Sequence, residues 1–411
     1  MASKKMKMIK KSLLILLLIA FNCDKKDVFE TNKQVVINPI AKCEDGFAGE
    51  YPCNDYDLLT YFSLEDIGGP DTTGSNCWGW VDPDTNKEYA LMGTNKGVTF
   101  IDITNPAKAT IIGTLKTTTE NNVIRDIKVF SSFAYIVSEA PGHGMQIFSL
   151  GQLKDVKEPP VEFSSNENYS LIGSAKNIII NETSGFAYIL GTTRDNGSPV
   201  FLDISKTPVA VEKGFYIKDS YANNAEVITY NGPDTDYIDK EIFVGSNDNN
   251  IVILDVTDKE NPTEISTINY TNIGKTTRGS FTQDLNFFII GDEKDEQNSA
   301  INTRSIVFDF TDLDNPIHSF DFEGTTNAID VTSYINGNLL YQANTTAGVR
   351  ILDVSDVENK NIKEVGFFDT YPENNNQEKN GVWSVYPFLP SGNIIVSDFN
   401  KGFFVIRKTN S

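Results

Sequence analysis

Two histidines occur among the 411 residues, and one of them, His143, lies in the segment PGHGM near two acidic residues. Imidazole is the side chain whose charge changes near neutral pH, so His143 with Glu139 and Asp126 has the composition of a general acid/base site. The glycines on both sides of His143 favour instead a constrained turn in which the ring packs. The general-base role is the alternative.

A larger set of polar and aromatic residues has the composition of a binding site. Charged and amide side chains occur where strands are predicted to begin, together with two polar residues from a neighbouring turn and three tryptophans as apolar platforms. They are Arg125, Asp126, Lys176, Asn177, Asn223, Asn224, Glu226, Arg278 and Asp330, then Glu139 and His143, then Trp78, Trp80 and Trp383. Such a set could bind a polar ligand, for example a sugar or a carboxylate. The alternative is that these groups pair with one another and with channel water.

Other familiar chemistries lack their motifs. The sequence contains no G-x-S-x-G, H-E-x-x-H or phosphate-loop pattern, so it offers no recognised arrangement for nucleophilic, zinc or nucleotide chemistry. Two acid-rich segments, 82–88 and 291–298, carry the oxygen ligands that Ca²⁺ prefers, although neither matches a complete calcium loop. We therefore expect no cofactor and interpret both segments as solvated turns, with Ca²⁺ binding as the alternative.

The elements that must position these residues recur along the chain. Seven segments combine an apolar strand, a turn with Gly or Asn, a second apolar strand and usually Asp-x-Ser/Thr, beginning with YALMGTNKGVTFIDIT. The Asp position falls at Asp102, Ser149, Asp203, Asp255, Asp309, Asp353 and Arg407. Repeats of roughly 40–50 residues built of short strands are typical of propeller blades. The sequence predicts an all-β fold, a seven-bladed β-propeller over residues 57–411, with the first strands of the blades lining a central channel.

The seventh blade lacks one strand. Segments after the Asp position supply the fourth strand of other blades, but the chain ends soon after the seventh repeat and would leave an unpaired edge. Residues 57–66 resemble the missing strand, so the amino-terminal strand is predicted to complete the last blade. The Asp-x-Ser/Thr side chains are expected to hydrogen-bond backbone amides in the turn that follows them.

The amino terminus predicts export. Five lysines precede the apolar run 13–21, which is too short for a stable membrane span and matches a secretory signal peptide over residues 1–22. Cys23 follows directly, as in a bacterial lipoprotein, and is the predicted lipidation site. Residues 23–56 are expected to form a polar tether and a disulfide loop. The predicted location is the cell envelope, as an outer-membrane or cell-surface lipoprotein.

The predicted export sets the expected oxidation state of the remaining cysteines, because an oxidising compartment favours disulfides. Cys43 and Cys53 flank the compact segment CEDGFAGEYPC and are the predicted pair. Cys77 is then expected to be a free, buried thiol.

Several long segments between residues 43 and 407 also resemble a known family. They include FAGEYPC with DLLTYF, WGWVDPDTNKEYALMG, SEAPGHGMQIF, GSAKNIIINETSGFAY, YQANTTAGVRILDVS and SGNIIVSDFNKGFFV. On these segments the chain resembles the extracellular LVIVD-repeat proteins, in particular the choice-of-anchor B group. The resemblance implies a secreted or surface-anchored propeller and brings no established reaction.

Where members of that family tend to carry histidine, this chain has Lys176, Asn223, Thr277 and Val331. Catalysis by imidazole or by a His-ligated metal is therefore poorly supported.

The sequence as a whole favours a non-catalytic binding module at the cell envelope, a monomer that captures a protein or a glycan at its channel mouth. Its net charge of −21 repels phosphate backbones, so nucleic acid is not an expected partner, and membrane contact is expected through the lipid anchor only. The alternative is an envelope hydrolase or lyase that uses Asp126, Glu139 and His143. A third interpretation is a scaffold whose channel is filled by mutually satisfied side chains.

Overall fold

The computed structural model describes residues 40–217 and 222–409, so the predicted signal peptide and Cys23 lie outside the described residues. The described strands form seven sheets arranged as the blades of a β-propeller. The predicted all-β, seven-bladed fold is confirmed. None of the helices within the described ranges is long and apolar enough to cross a bilayer.

The amino-terminal segment and the first two blades contain the following elements. The segment has β1 (Phe47–Ala48), β2 (Tyr51–Asn54), β3 (Tyr56–Ser63) and the helix α1 (Leu64–Gly68). Blade one has β4 (Gly74–Val81), β5 (Glu88–Thr94), β6 (Gly97–Asp102) and β7 (Thr110–Lys116). Blade two has β8 (Arg125–Phe130), β9 (Phe133–Ser138) and β10 (Met145–Ser149), after which β11 (Val161–Phe163) pairs in parallel with β7 and β12 (Glu167–Tyr169) completes blade two.

The remaining blades follow in chain order. Blade three has β13 (Asn177–Asn181), β14 (Phe186–Leu190), β15 (Val200–Asp203) and β16 (Val211–Phe215), and blade four has β17 (Ala222–Thr229), β18 (Glu241–Asn247), β19 (Ile251–Asp255) and β20 (Thr263–Ile268). Blade five has β21 (Ser280–Phe281), β22 (Phe287–Ile290), the helix α2 (Asp295–Ser299), β23 (Arg304–Asp309) and β24 (Ile317–Glu323). Blade six has β25 (Thr332–Asn336), β26 (Leu339–Ala343), β27 (Val349–Asp356) and β28 (Asn361–Phe368), and blade seven has β29 (Val382–Tyr386), β30 (Ile394–Asp398) and β31 (Gly402–Lys408). Short 3₁₀ helices occur at Pro106–Lys108, Leu150–Asp155, Asp195–Gly197, Thr235–Tyr237 and Val357–Asn359.

Burial differs between the inner and outer strands of a blade. Every residue of β5 and β18 is buried, because a second strand lies in the middle of its sheet and the neighbouring blades cover both of its faces. The outer strand β16 alternates between exposed and partly buried residues. This difference explains why the middle strands are nearly continuous apolar runs, whereas the fourth strands include charged and polar residues.

The recurrent Asp residues hold the turns that follow the third strands. Asp102, Asp203, Asp255, Asp309 and Asp353 each accept a hydrogen bond from the backbone amide two residues later, at 2.9–3.0 Å. The predicted structural role of these residues is confirmed, and the residues are placed at the periphery of the blades rather than at the channel.

The amino-terminal strand completes the seventh blade as predicted. Strand β3 pairs antiparallel with β31, with Leu58 opposite Ile406 and Ser63 opposite Gly402. The strand ends at Ser63 rather than at residue 66, because Ser63 and Asp66 form a capping box that begins α1.

A disulfide joins Cys43 to Cys53, as the sequence predicts, and Cys77 is a free, buried thiol. The β1–β2 hairpin inside this loop does not form part of a tether. Strand β2 pairs with β28, so the hairpin extends the sheet of blade six to six strands.

The first strands of adjacent blades are linked by side chains near the channel mouth. Asp126 on β8 accepts a hydrogen bond from the amide of Ile178 on β13 at 3.0 Å. Asn177 on β13 donates to the carbonyl of Asn223 on β17 at 2.5 Å. Some of the polar residues at strand beginnings therefore hold the ring together.

Candidate ligand-binding site

A partly open pocket with a volume of about 110 Å³ lies where the first strands begin. All seven blades contribute to its lining, for example Asn76 from blade one, Thr332 from blade six and Trp383 from blade seven. An engineered cavity of ~150 Å³ holds a benzene molecule, so the pocket is large enough for a small chemical group but not for a folded partner.

The structure brings together about half of the residues predicted to form this site. Those that line the pocket are Arg125, Asp126, Lys176, Asn177, Asn223, Asn224, Arg278 and Trp383. Those outside the lining are Trp78, Trp80, Glu139, His143, Glu226 and Asp330.

Asp126 is fully engaged by its neighbours. Its Oδ1 accepts hydrogen bonds from Asn76 at 2.9 Å and from Lys128 at 2.9 Å, while Oδ2 accepts the bond from Ile178. Lys128 and Asp126 are both buried and form an ion pair. The Asp126 carboxylate therefore has a structural role and has no free lone pair directed at a substrate proton.

His143 lies behind the pocket and accepts a hydrogen bond from an arginine. Arg125 donates from NH1 to His143 Nε2 at 3.0 Å and from Nε to the carbonyl of Thr94 at 3.0 Å. His143 Nδ1 then donates to the carbonyl of Gly144 at 3.0 Å, which fixes the neutral tautomer. Burial, with the charge of Arg125, lowers the pKa of His143 to about 4. Among the described residues no hydrogen bond joins His143 to Asp126 or Glu139, so the three do not form an acid/base array.

Arg278 is neutralised by a carboxylate just outside the lining. Its guanidinium contacts the Glu226 carboxylate, donates to the carbonyl of Ala225 at 3.0 Å and lies 4.6 Å from the ring centre of Tyr334. The Arg278–Glu226 pair links blades four and five across the channel wall. Its charge is therefore satisfied within the protein.

Three lysines surround one glutamate in a group that we call the lysine cluster: Lys176, Lys275, Lys379 and Glu293. The ammonium groups of Lys275 and Lys379 both contact the Glu293 carboxylate. Burial alone would raise the pKa of Glu293, but the two lysines outweigh it and hold the pKa at about 2. Glu293 is therefore ionised at neutral pH.

Lys176 has no carboxylate partner among the described residues. Its Nζ donates to Asn223 Oδ1 at 3.0 Å. Burial and the nearby charge of Lys275 lower the pKa of Lys176 to about 8, although Glu293 and Glu139 partly oppose this shift. Glu139 is thus placed close enough to influence Lys176, but it does not line the pocket. Lys176 is a cation that the protein itself leaves incompletely compensated.

The three tryptophans lie at different distances from the pocket. Trp383 lines the pocket, and its ring centre lies 5.6 Å from that of Phe399. Trp78 supports a lining residue, because Lys128 Nζ lies 4.3 Å from its ring centre. Trp80 is buried against Tyr89 at 5.3 Å between ring centres. With a rise of ~3.3 Å per residue, Trp80 lies too far along β4 to reach the channel mouth.

Asp330 belongs to a buried acidic group behind the pocket. Gln342 donates to its Oδ2 at 3.2 Å, and burial, followed by the charge of Asp295, raises the pKa of Asp330. Glu296, from the acid-rich segment 291–298, is also buried, and its pKa is raised to about 11 by burial and by Asp330. The raised pKa values favour the protonated form of both carboxyl groups, and neither of them lines the pocket.

The carboxylates of the two acid-rich segments are engaged in the fold. The prediction of a solvated turn is confirmed for residues 83–87, which are exposed, but it is wrong for 291–298, where Asp292, Asp295 and Glu296 are buried. Asp82 contacts Lys154 at 2.5 Å and accepts a hydrogen bond from Thr85 at 2.5 Å. Asp292 accepts hydrogen bonds from Tyr270 at 2.7 Å and from the amide of Lys294 at 3.0 Å.

Within residues 40–217 and 222–409, a single group of three acidic residues has carboxylate oxygens close enough to share a metal ion. It consists of Asp234, Asp312 and Asp314, and it lies outside the pocket. These residues belong to the sequences NGPD and TDLDNP. The spacing of the acidic residues within either segment did not predict that the two segments lie together in the fold.

Sequence reasoning missed Lys128, Lys275, Glu293 and Lys379. Lys275 lies in a segment adjacent to a predicted strand, so its position was accessible from the repeat. Lys379 comes from the loop between β28 and β29, and Glu293 from the loop between β22 and β23, where no repeat fixes the position of a side chain.

No protein-family model matches the chain, and no curated protein matches it. The fold and the pocket define the class: a seven-bladed β-propeller whose channel mouth holds a basic pocket. The resemblance to LVIVD-repeat proteins stays a prediction.

Proposed function

We propose that this protein is a non-catalytic binding module of the cell envelope, which captures a protein or a glycan by seating one polar group of it in the channel-mouth pocket. The observation that carries the proposal is the open pocket to which all seven blades contribute. A scaffold without a ligand site is expected to fill this position with mutually satisfied side chains, yet Lys176 remains unpaired by any described carboxylate.

The geometry favours binding over hydrolysis or elimination. A general base must reach the proton that it removes, and it must have a free lone pair. Asp126 accepts hydrogen bonds through both oxygens, and His143 accepts one from Arg125 while it is buried away from the pocket. The enzyme alternative therefore lacks a positioned acid/base group.

The proposal includes export and a lipid anchor on Cys23, supported by the pattern of residues 1–23. Acylation of Cys23 would attach the propeller to the membrane. Mass spectrometry of the mature amino-terminal peptide tests this part: an acylated Cys23 supports it, and an unmodified Cys23 contradicts it.

Filling the pocket tests the binding proposal. Thr332 lines the pocket at the start of β25, so Thr332→Trp should block entry of a ligand group. Thr267→Trp places the same side chain on the exposed outer strand β20 and is the matched control. On an array of envelope glycans and peptides, we expect at least tenfold weaker capture by Thr332→Trp and unchanged capture by Thr267→Trp.

Two truncations extend this test. Arg125→Ala and Trp383→Ala remove lining groups and should also weaken capture while the β-sheet circular dichroism spectrum is retained. Capture that is equally strong in Thr332→Trp, Arg125→Ala and Trp383→Ala would place the binding surface elsewhere and end the proposal.

A further inference from the structure

We propose that the group seated in the pocket is a compact oxyanion with two negative charges, in particular a phosphate group, held at the lysine cluster. This inference rests on the proposed function, because it names the chemistry that the same pocket selects. Four features support it: the local charge balance, the crowding of the lysine side chains, the unpaired buried guanidinium of Arg125 and the size of the pocket.

The charge balance of the pocket is opposite to that of the protein. Among the described residues, six cationic ones line it: Arg125, Lys128, Lys176, Lys275, Arg278 and Lys379. Two described acidic residues line it, Asp126 and Glu293; Glu226 adds a third through its pair with Arg278, and Glu139 adds a fourth near Lys176. Six positive charges against four negative charges leave an excess of two positive charges. A ligand with two negative charges would compensate this excess.

The net charge of −21 on the whole chain does not cancel this local preference. Charges separated by more than ~8 Å are largely screened at physiological ionic strength, so distant surface carboxylates act weakly on the pocket. Partly buried charges are screened much less. The groups that line the pocket therefore determine which ligand charge it accepts.

The side chains of the lysine cluster are crowded in a way that an anion would relieve. Lys176 and Lys275 lie near one another, and the like charge and burial disfavour the charged form of Lys176. A single carboxylate, that of Glu293, is the ion-pair partner of both Lys275 and Lys379. A bound oxyanion could accept hydrogen bonds from Lys176 without displacing any ion pair of the protein.

A second buried cation adjoins the cluster. Arg125 lines the pocket, is 1% exposed and makes no ion pair with a described residue. Its Nη2 has no hydrogen-bond partner in the part of the chain that the structure describes, and burial lowers the pKa of Arg125 to about 10. A buried cation without an anion is costly, so an anionic ligand in the pocket would also stabilise Arg125.

The pocket volume of about 110 Å³ limits what can enter. A phosphate or sulfate group has five heavy atoms, fewer than the benzene molecule that fills a cavity of ~150 Å³. A glycan or a protein could therefore insert a phosphorylated group while the rest of it remains outside. The shared chemistry is the phosphate group, whether it is free, attached to a sugar or part of a lipid headgroup.

Isothermal titration calorimetry of the intact protein with inorganic phosphate at pH 7 tests the inference. We expect one saturable site, at least tenfold weaker in Lys176→Met. The matched control is Lys363→Met, which removes an exposed lysine of β28 and should leave the affinity unchanged. Absence of phosphate binding by the unmodified protein up to ~10 mM, or equal affinity in both variants, overturns the inference.

A pH profile on the unmodified protein keeps the test valid if Lys176→Met fails to fold. Sulfate is the probe, because its charge does not change in this range. The charged form of Lys176 is lost as the pH rises through about 8, so sulfate affinity should fall above that pH. Sulfate affinity that stays constant between about pH 7 and pH 9 contradicts the assigned role of Lys176.

The source of the phosphate is distinguished by three titrations, with inorganic phosphate, glucose 6-phosphate and vesicles that contain phosphatidic acid. The titrant that binds most tightly identifies the source of the phosphate group. Inorganic phosphate should compete with the binding of glucose 6-phosphate and of the vesicles. Binding only to vesicles, without such competition, reports a membrane surface effect and overturns the pocket assignment.

Failure of the inference can be separated from failure of the proposed function. If Thr332→Trp abolishes partner capture but phosphate neither binds nor competes, the oxyanion inference is wrong and the binding function stands. If phosphate binds with the predicted Lys176 dependence but Thr332→Trp leaves partner capture unchanged, the pocket takes an anion and the partner binds elsewhere.

Discussion

At the scale of single residues, this protein treats its buried charges in two ways. Most buried lysines and arginines among the described residues are paired with a carboxylate, within a blade as Lys128 is with Asp126, or between blades as Arg278 is with Glu226. Arg125 instead relies on a neutral imidazole and a backbone carbonyl, which satisfy two of its donors but not its charge. Breaking a buried pair typically costs 3–5 kcal/mol because one charge is left uncompensated. An anionic ligand would therefore stabilise the unpaired cations at the channel mouth more than it would stabilise the paired ones.

The buried carboxyl group of Glu296 predicts an unusual pH dependence of stability. Its pKa is raised from 4.5 to about 11, first by burial and then by Asp330 and Asp295. The folded protein keeps a proton that the unfolded chain releases above about pH 4.5, so this group lowers the free energy of unfolding as the pH rises. Glu296→Gln removes the titration, and we expect its stability relative to the unmodified protein to rise by ~1–3 kcal/mol between pH 5 and pH 8.

Urea unfolding at several pH values measures this difference. Glu323→Gln changes an exposed glutamate at the end of β24 and serves as the control, with an expected effect within ~0.5 kcal/mol at every pH. A stability difference for Glu296→Gln that does not change with pH would show that Glu296 is ionised in the folded protein.

At the scale of elements, the closure of the ring depends on β3. This strand is distant in sequence from β31, to which it pairs, and its residue Leu59 is 2% exposed. Truncating a fully buried leucine removes apolar contacts and leaves a cavity, which typically costs 2–5 kcal/mol. We expect Leu59→Ala to lower the free energy of unfolding by ~2–4 kcal/mol, as measured by urea denaturation.

The control for this measurement is Leu171→Ala, because Leu171 is 66% exposed. Its expected effect is within ~0.5 kcal/mol. Equal effects of the two substitutions would mean that β3 is not docked in solution and that the propeller is not closed by its amino terminus.

The elements were predictable where the repeat was strong. The Asp-x-Ser/Thr residues marked the ends of third strands because each Asp holds its own turn. The fourth strand of blade two was missed, since β12 has only three residues and the preceding β11 joins blade one instead. Pairing of such short segments is decided by their neighbours in space rather than by an apolar pattern.

The site was predictable only in part, for a related reason. Arg125 and Lys176 were identified because Arg125 begins a first strand and Lys176 directly precedes one. The first strands converge whatever paths the loops take. Lys379 and Glu293 come from loops whose paths a repeat does not specify. The repeated positions at which first strands begin predicted where the channel mouth lies. The loops, whose paths were not predicted, supply part of its charge.

At the scale of the whole molecule, an acidic propeller surrounds a basic pocket. The net charge of −21 favours solubility, and each blade adds only one or a few groups to the lining of the channel mouth. The strands and loops that converge on the channel mouth thus concentrate positive charge that no single segment displays. This arrangement supports the proposed non-catalytic capture of a partner through one small charged group.

The most direct measurement is a crystal structure of the purified protein soaked in sodium selenate, an anomalously scattering dianion. The account predicts an anomalous peak inside the pocket, within hydrogen-bonding distance (~2.7–3.0 Å) of Lys176 Nζ. Peaks confined to surface lysines, or a pocket filled by the protein's own side chains, would contradict it.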